Sequence, residues 1–124
     1  MILNTMTHKE CIKNAKEFSK SWEGIGCEEQ HSQKFWIELL SKVYGVENST
    51  ECLSFEEKVL GNSIDVLIDD SKVLIEQKSI TKDLYKKQKQ SDGAMLTPFE
   101  QAKRYSDNLP LFKKPKWIIV SNFK

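Results

Sequence analysis

The chain has 124 residues, of which 39% are hydrophobic and 30% are charged. This length suits one domain with one core, and the composition excludes an intrinsically disordered protein. The 19 basic and 18 acidic side chains nearly cancel, so attraction to nucleic acid requires local clusters of charge. The start of the chain has no apolar run, and the three cysteines form no C-x-x-C pair. We therefore predict a single cytoplasmic domain over residues 1–124, with free thiols and no membrane partner.

Two helices are predicted in the first third of the chain. Apolar residues recur at steps of three and four over residues 8–22 and again over residues 28–44. The second segment begins with Glu28 and Glu29, where the helix macrodipole favours negative charge, and Gly45 follows its end. This pattern predicts a core helix whose first turn is rich in carboxylates.

The middle of the chain predicts strands. Apolar and polar residues alternate there, which indicates three extended segments over residues 53–60, 63–68 and 73–79. A lysine-rich stretch over residues 81–90 has little apolar periodicity. It is predicted to be a loop or a frayed helix.

The last third predicts one more helix and one more strand. Thr97 suits an N-cap, Pro98 suits the first helical position and Glu100 completes a capping box, so a helix should run to about Asn108. Residues 116–120 are rich in β-branched side chains and predict a buried final strand. The predicted fold class is therefore α/β, with a mixed central sheet of about four strands flanked by helices.

Asp65, Glu76 and Lys78 are the candidate catalytic residues. A hairpin with a two-residue loop at positions 70–71 sets a register in which Asp65 lies opposite Glu76. Side chains on a strand alternate between faces, so Lys78 should share the face of Glu76. The opposite face is predicted to be apolar and to consist of Ile64, Val66, Ile68, Val73 and Ile75.

Neighbouring carboxylates repel one another, and a hard divalent cation between them relieves the repulsion. Mg²⁺ fits oxygen ligands best, and Mn²⁺ can substitute for it. Such a site can stabilise the charge that develops during phosphodiester hydrolysis, while Lys78 neutralises phosphate charge or helps to activate water. The alternative is a chance triplet on a solvated strand face, because charged residues are common in this chain. The core-like strands around Asp65 favour the metal site.

Asp65 followed by Glu76-Gln77-Lys78 resembles the signature of the PD-(D/E)XK nucleases, with Ile64 where the family nominally has proline. The resemblance implies a restriction-endonuclease-like core in which Asp65 and Glu76 bind the metal. It also implies that Gln77 contributes a backbone carbonyl to the metal and that Lys78 is catalytic.

Gln101 and Tyr105 form the Q-x-x-x-Y pattern that marks the RecB-like branch of these nucleases. At positions i and i+4 they share one face of the predicted helix. The resemblance implies that this face points toward the site and contacts DNA. The alternative is that Tyr105 is a core aromatic residue and Gln101 a surface residue.

A longer set of segments extends the resemblance over residues 22–124. It comprises Glu28 with Gln33 and Phe35, then residues 55–59, 61–65 and 75–79, the Gln101 helix and residues 115–123. Together they resemble the N-terminal nuclease domain of single-polypeptide restriction-modification enzymes, which join a nuclease to an adenine-specific DNA methyltransferase and a target-recognition region. This resemblance implies a fragment of a longer protein, with S-adenosylmethionine bound only in the absent part. The implied partners are DNA, the rest of the same polypeptide and, for double-strand cleavage, a second copy.

The same resemblance implies that a carboxylate of the second helix completes the metal site. Glu28 is the better match, and Glu29 is adjacent to it. The alternative for both is an acid that only balances the helix macrodipole. Glu38 is a third candidate, which we interpret as a solvated residue.

Lys82, Lys86 and Lys87, together with Lys89, are candidates for contacts with DNA phosphates because they follow the catalytic segment in one basic stretch. The alternative is a solvated lysine-rich face. Two rival functions remain open beside the DNA nuclease. One is a catalytically silent DNA-binding or assembly module, and the other is an RNA-processing nuclease of the same fold.

Overall fold

The computed structural model describes residues 1–59 and 61–124. The helices are α1 (His8–Ser21), α2 (Glu28–Glu38), α3 (Ser49–Cys52) and α4 (Pro98–Asp107), with a π-helical turn over Leu39–Val43 and a 3₁₀ turn over Leu111–Lys113. The strands are β1 (Leu53–Val59), β2 (Asn62–Ile68), β3 (Val73–Gln77), β4 (Gln88–Lys89), β5 (Met95–Leu96) and β6 (Trp117–Ser121). The predicted end of the first strand, residue 60, lies outside the described residues.

The main sheet has four strands in the order β1, β2, β3 and β6. The first three are antiparallel neighbours, whereas β6 runs parallel to β3. Parallel strands need a crossover connection, and α4 lies in the segment that links β3 to β6. The predicted α/β domain with a mixed sheet of about four strands is confirmed.

Both faces of the sheet are covered by helices. On one face, Phe18 of α1 and Trp36 of α2 pack in a cluster with Val66 and Ile75 of the sheet. On the other face, Ala102 and Tyr105 of α4 pack with Leu67 and Leu74. The three cysteines are free thiols, as predicted.

The hairpin between β2 and β3 has the predicted register. Val66 pairs with Ile75 and Ile68 pairs with Val73. The loop is longer than predicted, because the pairing ends at Ile68 and residues 69–72 form the connection. The Lys72 N–H donates to the Asp69 carbonyl at 3.3 Å, and the left-handed φ of 56° falls on Lys72. A four-residue loop built around a β-turn keeps the register that a two-residue loop would give.

The predicted division into an apolar face and a charged face was partly wrong. Ile64 packs in the cluster with Leu67 and Leu74, on the face that also carries Glu76. The strand loses its regular alternation at Asp65, whose carboxylate accepts from the Gln77 N–H at 2.7 Å, beyond the last β2–β3 backbone pair, Val66–Ile75. The carboxylates therefore lie at the border of an apolar cluster and not on a solvated strand face.

Two other expectations need correction. The final strand is an edge strand of the sheet and is not buried, since Trp117 is 67% exposed and Ile119 is 40% exposed. The stretch over residues 81–90 consists mainly of turns but ends in β4, which pairs with β5. Two-residue strands are too short to leave a periodic signal in the sequence.

Gly26 holds the start of α2 against the end of the sheet. A Cβ at this position would lie 2.8 Å from Ile80 Cβ and 2.8 Å from Phe123 Cδ2. The Ile80 N–H also donates to the Gly26 carbonyl at 2.9 Å. Only a glycine lets the two segments approach this closely.

We predict that Gly26→Ala lowers the free energy of unfolding by about 2–3 kcal/mol through overpacking. The matched control is Gly24→Ala, because Gly24 has a left-handed φ of 73° but no neighbour within 4 Å of its added Cβ. That variant should lose only about 1 kcal/mol through backbone strain. Urea unfolding of both variants tests this, and a loss at Gly26 no larger than at Gly24 would contradict the close approach.

Candidate active site

The structure brings the three predicted catalytic residues together on adjacent strands. Asp65 lies on β2, Glu76 lies on β3 and Lys78 follows the end of β3. Lys78 Nζ is 3.1 Å from Glu76 Oε1, and the Asp65 carboxylate accepts from the Gln77 N–H. Glu76 is only 2% exposed, whereas Asp65 is half-buried. A buried acid, a half-buried acid and a lysine therefore share one small region at the edge of an apolar cluster.

Burial dominates the electrostatics of the two acids. Burial raises the pKa of Asp65 to about 6. The hydrogen bond from the Gln77 N–H lowers this pKa, and the negative charge of Glu28 raises it further. Burial also raises the pKa of Glu76 to about 8, with the Asp65 charge as the next cause and Lys78 opposing both. Strong shifts of this kind, caused by burial and by a like charge, are common at functional sites.

Among the described residues, Glu76 Oε2 is the buried side-chain oxygen that lacks a hydrogen-bond partner. It accepts no hydrogen bond from any described residue, although its surroundings exclude water. A buried carboxylate oxygen without a partner is costly, and Lys78 alone cannot balance two carboxylates. This donor set fits a hard cation such as Mg²⁺, which is held by one or two carboxylates and keeps several waters. Asp65 and Glu76 are the residues that would hold it.

Glu28 lies near this pair without completing a ligand cluster. Its pKa is raised by burial, while the charges of Lys78 and Lys82 lower it. Its N–H donates to Ser79 Oγ at 3.0 Å, which fixes the start of α2 beside the end of β3. Within residues 1–59 and 61–124, no three His, Cys, Asp or Glu side chains form a group that could hold a metal. The ligand role of Glu28 therefore stays a prediction.

The other two acids of this helix are placed differently. Glu29 is exposed. Glu38 is not the solvated residue that we expected, because its carboxylate accepts from Trp22 Nε1 at 3.0 Å and lies 3.6 Å from Lys42. Its side chain therefore fastens α1 to α2.

The Gln77 side chain connects α2 and β6 to β3 through hydrogen bonds. Trp36 Nε1 donates to its Oε1 at 2.8 Å, and its Nε2 donates to the Ser121 carbonyl at 3.2 Å. The side chain is fully buried and so links α2, β3 and β6 directly behind the carboxylates. The backbone-carbonyl role implied for Gln77 stays a prediction.

Gln101 and Tyr105 of α4 reach the site through Lys78. Lys78 Nζ donates to Gln101 Oε1 at 3.0 Å, and Gln101 Nε2 donates to the Tyr105 hydroxyl at 3.0 Å. Tyr105 is 7% exposed and packs in the apolar cluster, so it is also the core aromatic residue of the alternative interpretation. Gln101 therefore contacts the same ammonium as Glu76, and Tyr105 in turn holds Gln101. Contact of either residue with DNA stays a prediction.

Comparison with known proteins gives one match. The family model described as the MmeI N-terminal domain matches residues 13–124. The chain belongs to the MmeI N-terminal domain family. The match covers every candidate site residue and identifies the chain as a restriction-enzyme module. No curated protein and no solved structure matches this member of the MmeI N-terminal domain family.

The lysine-rich stretch over residues 81–90 is largely exposed. Lys82, Lys86 and Lys87 all face solvent. The charge of Lys82 acts on Glu28, and the charge of Lys87 acts on Glu100 at the start of α4. Their predicted contacts with phosphate remain untested by this arrangement. In the described ranges of the chain, no helix has both the length and the apolarity to cross a membrane.

Glu56 is a neighbour of the site that the sequence did not reveal. It lies between the pairs Phe55–Val66 and Glu57–Ile64, which places it opposite Asp65. Its φ of 56° is left-handed, an unusual conformation for a residue other than glycine. Its charge raises the pKa values of both Asp65 and Glu28. The alternating pattern of β1 contains no signal for this local distortion.

Proposed function

We propose that this module is a Mg²⁺-dependent DNA endonuclease of the PD-(D/E)XK type. The observation that carries the proposal is the buried, unpartnered Glu76 Oε2 beside a second carboxylate and a lysine. An assembly module has no need for this costly arrangement. Membership of a restriction-enzyme family supports a role in cutting DNA.

Asp65 and Glu76 would hold the cation, and a different neighbouring group orients each carboxylate. The Gln77 N–H orients the Asp65 carboxylate, and Lys78 orients one oxygen of Glu76. When bound, Mg²⁺ supplies positive charge that stabilises the developing negative charge on the phosphate. The carboxylates must be ionised to bind it, so their raised pKa values make binding weaker as the pH falls.

Lys78 contributes a fixed positive charge near the phosphate. Its side chain is 12% exposed, and its ammonium lies between Glu76 Oε1 and Gln101 Oε1. A preorganised cation can stabilise the charge of the transition state without reorganising during the reaction. Gln101 and Tyr105 act as positioning residues because they fix this ammonium.

We also infer that the module belongs to a longer polypeptide with a DNA methyltransferase and a target-recognition region. One nuclease site cuts one strand, so double-strand cleavage requires two copies to meet on DNA. S-adenosylmethionine would then bind outside residues 1–124. The resemblance over residues 22–124 and the matched family support this inference.

A plasmid assay tests the proposed function. Supercoiled DNA incubated with the protein should be nicked in Mg²⁺ and left intact in EDTA. Lys78→Met should lose most of this activity, whereas Lys58→Met should retain it, because Lys58 on β1 is exposed and, among the described residues, donates to Ser63 Oγ alone. Cleavage of RNA but not DNA would instead identify an RNA-processing nuclease. Metal binding without cleavage of either would identify a silent module or a nuclease that needs the rest of its polypeptide.

A further inference from the structure

A cleft of about 500 Å³ opens beside Lys78. One wall is α4, which contributes Gln101 and Arg104, and the other is the β4–β5 hairpin, which contributes Lys89 and Gln90. Lys78 lines the cleft and is also 3.1 Å from Glu76 Oε1. The cleft therefore adjoins the candidate active site.

The lining of this cleft is polar and positively charged. Among the described residues that form it, Lys78, Lys89 and Arg104 are cationic and Asp92 is the single anion. The remaining lining residues are uncharged, and most carry an amide or a hydroxyl group. Lys78 pairs with Glu76 and Arg104 pairs with Asp92, so Lys89 carries the lining charge that no described side chain neutralises. Cations combined with amides are suited to phosphates, sugars and base edges.

Internal contacts hold the hairpin in place. Asp92 Oδ1 accepts from the Ala94 N–H at 3.0 Å and closes the turn, while the other Asp92 oxygen pairs with Arg104 of α4. The Gln90 N–H donates to the Ala94 carbonyl at 2.8 Å. Asp92 is thus occupied by Arg104. Lys89 is exposed and forms no ion pair with any described residue, so it is the cation available to a ligand.

We propose that this cleft binds the segment of the DNA strand next to the scissile phosphate, with Lys89 contacting a backbone phosphate. The inference rests on the proposed nuclease function and adds the surface that guides one strand to the site. The volume lies within the range of about 300–1,000 Å³ that is typical of small-ligand sites. It can hold a short segment of one strand but cannot enclose a duplex. Arg104 and Asp92 act as positioning residues because they fix the hairpin.

Fluorescence anisotropy with a labelled duplex tests the cleft. The parent protein carries Glu76→Gln, which prevents cleavage during the measurement. Lys89→Gln in this background should weaken binding about fivefold and reduce the slope of log affinity against log salt by about one. The matched control is Lys103→Gln, because Lys103 lies on α4, pairs with Asp107 at 2.6 Å and is absent from the cleft lining. The control should leave both quantities unchanged.

Each outcome of this test is decisive. Equal effects of Lys89→Gln and Lys103→Gln, or no binding by the parent protein, would overturn the cleft proposal. A protein with intact Glu76 that nicks plasmid while Lys89→Gln binds like the control would also overturn it and would leave the nuclease function standing. A Lys89-specific loss in a protein that never cuts DNA would support the cleft as a DNA surface and would identify the domain as a silent module or as a nuclease that needs the rest of its polypeptide. Lys89-dependent binding that is tighter for RNA than for DNA would overturn the assignment to DNA.

Discussion

Glu76→Gln should reduce plasmid nicking in Mg²⁺ by about 10³-fold or more, and Asp65→Asn should do the same. Each substitution keeps the shape of the side chain but removes one of the two negative charges that would hold the cation. The unpartnered Glu76 Oε2 would become part of a neutral amide, which is a poor ligand for Mg²⁺. Initial nicking rates at saturating Mg²⁺ measure the effect.

The matched control for this prediction is Glu57→Gln. Like Glu76, Glu57 is a strand glutamate paired with a lysine, since Lys113 Nζ lies 2.6 Å from its carboxylate, but it is only half-buried. It lies on β1 and should affect nicking by less than about twofold, because surface ion pairs contribute little. Retention of more than a tenth of the wild-type activity by Glu76→Gln would show that this carboxylate is not essential for cutting.

Glu76→Gln should also stabilise the protein in the absence of metal. Burial raises the pKa of Glu76 to about 8, so the folded protein holds a proton that the unfolded chain releases near its ordinary value of 4.5. The contribution of the protonated Glu76 carboxyl to the free energy of unfolding is fully present below about pH 4.5. It is lost as the pH rises toward 8. Asp65 adds a loss in the same direction between about pH 4 and 6.

Glu76→Gln removes this penalty because the amide never ionises. We expect its free energy of unfolding at pH 8 in EDTA to exceed that of the wild type by roughly 4 kcal/mol, since each unit of pKa shift corresponds to about 1.4 kcal/mol, and the difference to disappear near pH 4. Urea unfolding across this pH range measures it. Glu57→Gln should show no such gain, because it loses the pairing with Lys113. A wild type that is as stable at pH 8 as Glu76→Gln would contradict the raised pKa.

Glu76→Gln is therefore expected to lose nicking activity and to gain stability. A substitution that increases stability and abolishes activity is the expected behaviour of a residue kept for chemistry and not for folding. Mg²⁺ should accordingly stabilise the wild type and have no effect on Glu76→Gln.

The part of the site that follows from regular strand geometry was predictable. The hairpin loop centred on residues 70–71 predicted the register of β2 and β3, and Val66 does pair with Ile75. The i and i+4 spacing of Gln101 and Tyr105 likewise predicted their shared face, and the two side chains are hydrogen-bonded. Residue spacing predicts which side chains share a face, because the backbone geometry of strands and helices repeats at fixed intervals.

The irregular part was not predictable from the sequence. Nothing in the pattern indicates that Glu56 takes a left-handed φ or that the Gln77 N–H leaves the strand ladder for the Asp65 carboxylate. These features depend on tertiary contacts, and so does the placement of Ile64 in the cluster with Leu67 and Leu74. The exposure of Trp117 was missed because a hydrophobic run does not reveal that its strand lies at the edge of the sheet.

The central claim is that Asp65 and Glu76 form one cation site, and Mg²⁺ titration calorimetry tests it most directly. The measurement uses the wild type, Asp65→Asn, Glu76→Gln and the Glu57→Gln control at pH 7, in buffers with different ionisation enthalpies. We predict that the wild type and the control bind Mg²⁺ and release protons, and that both site variants lose binding. Binding by the wild type that persists unchanged in Asp65→Asn and Glu76→Gln would contradict the site.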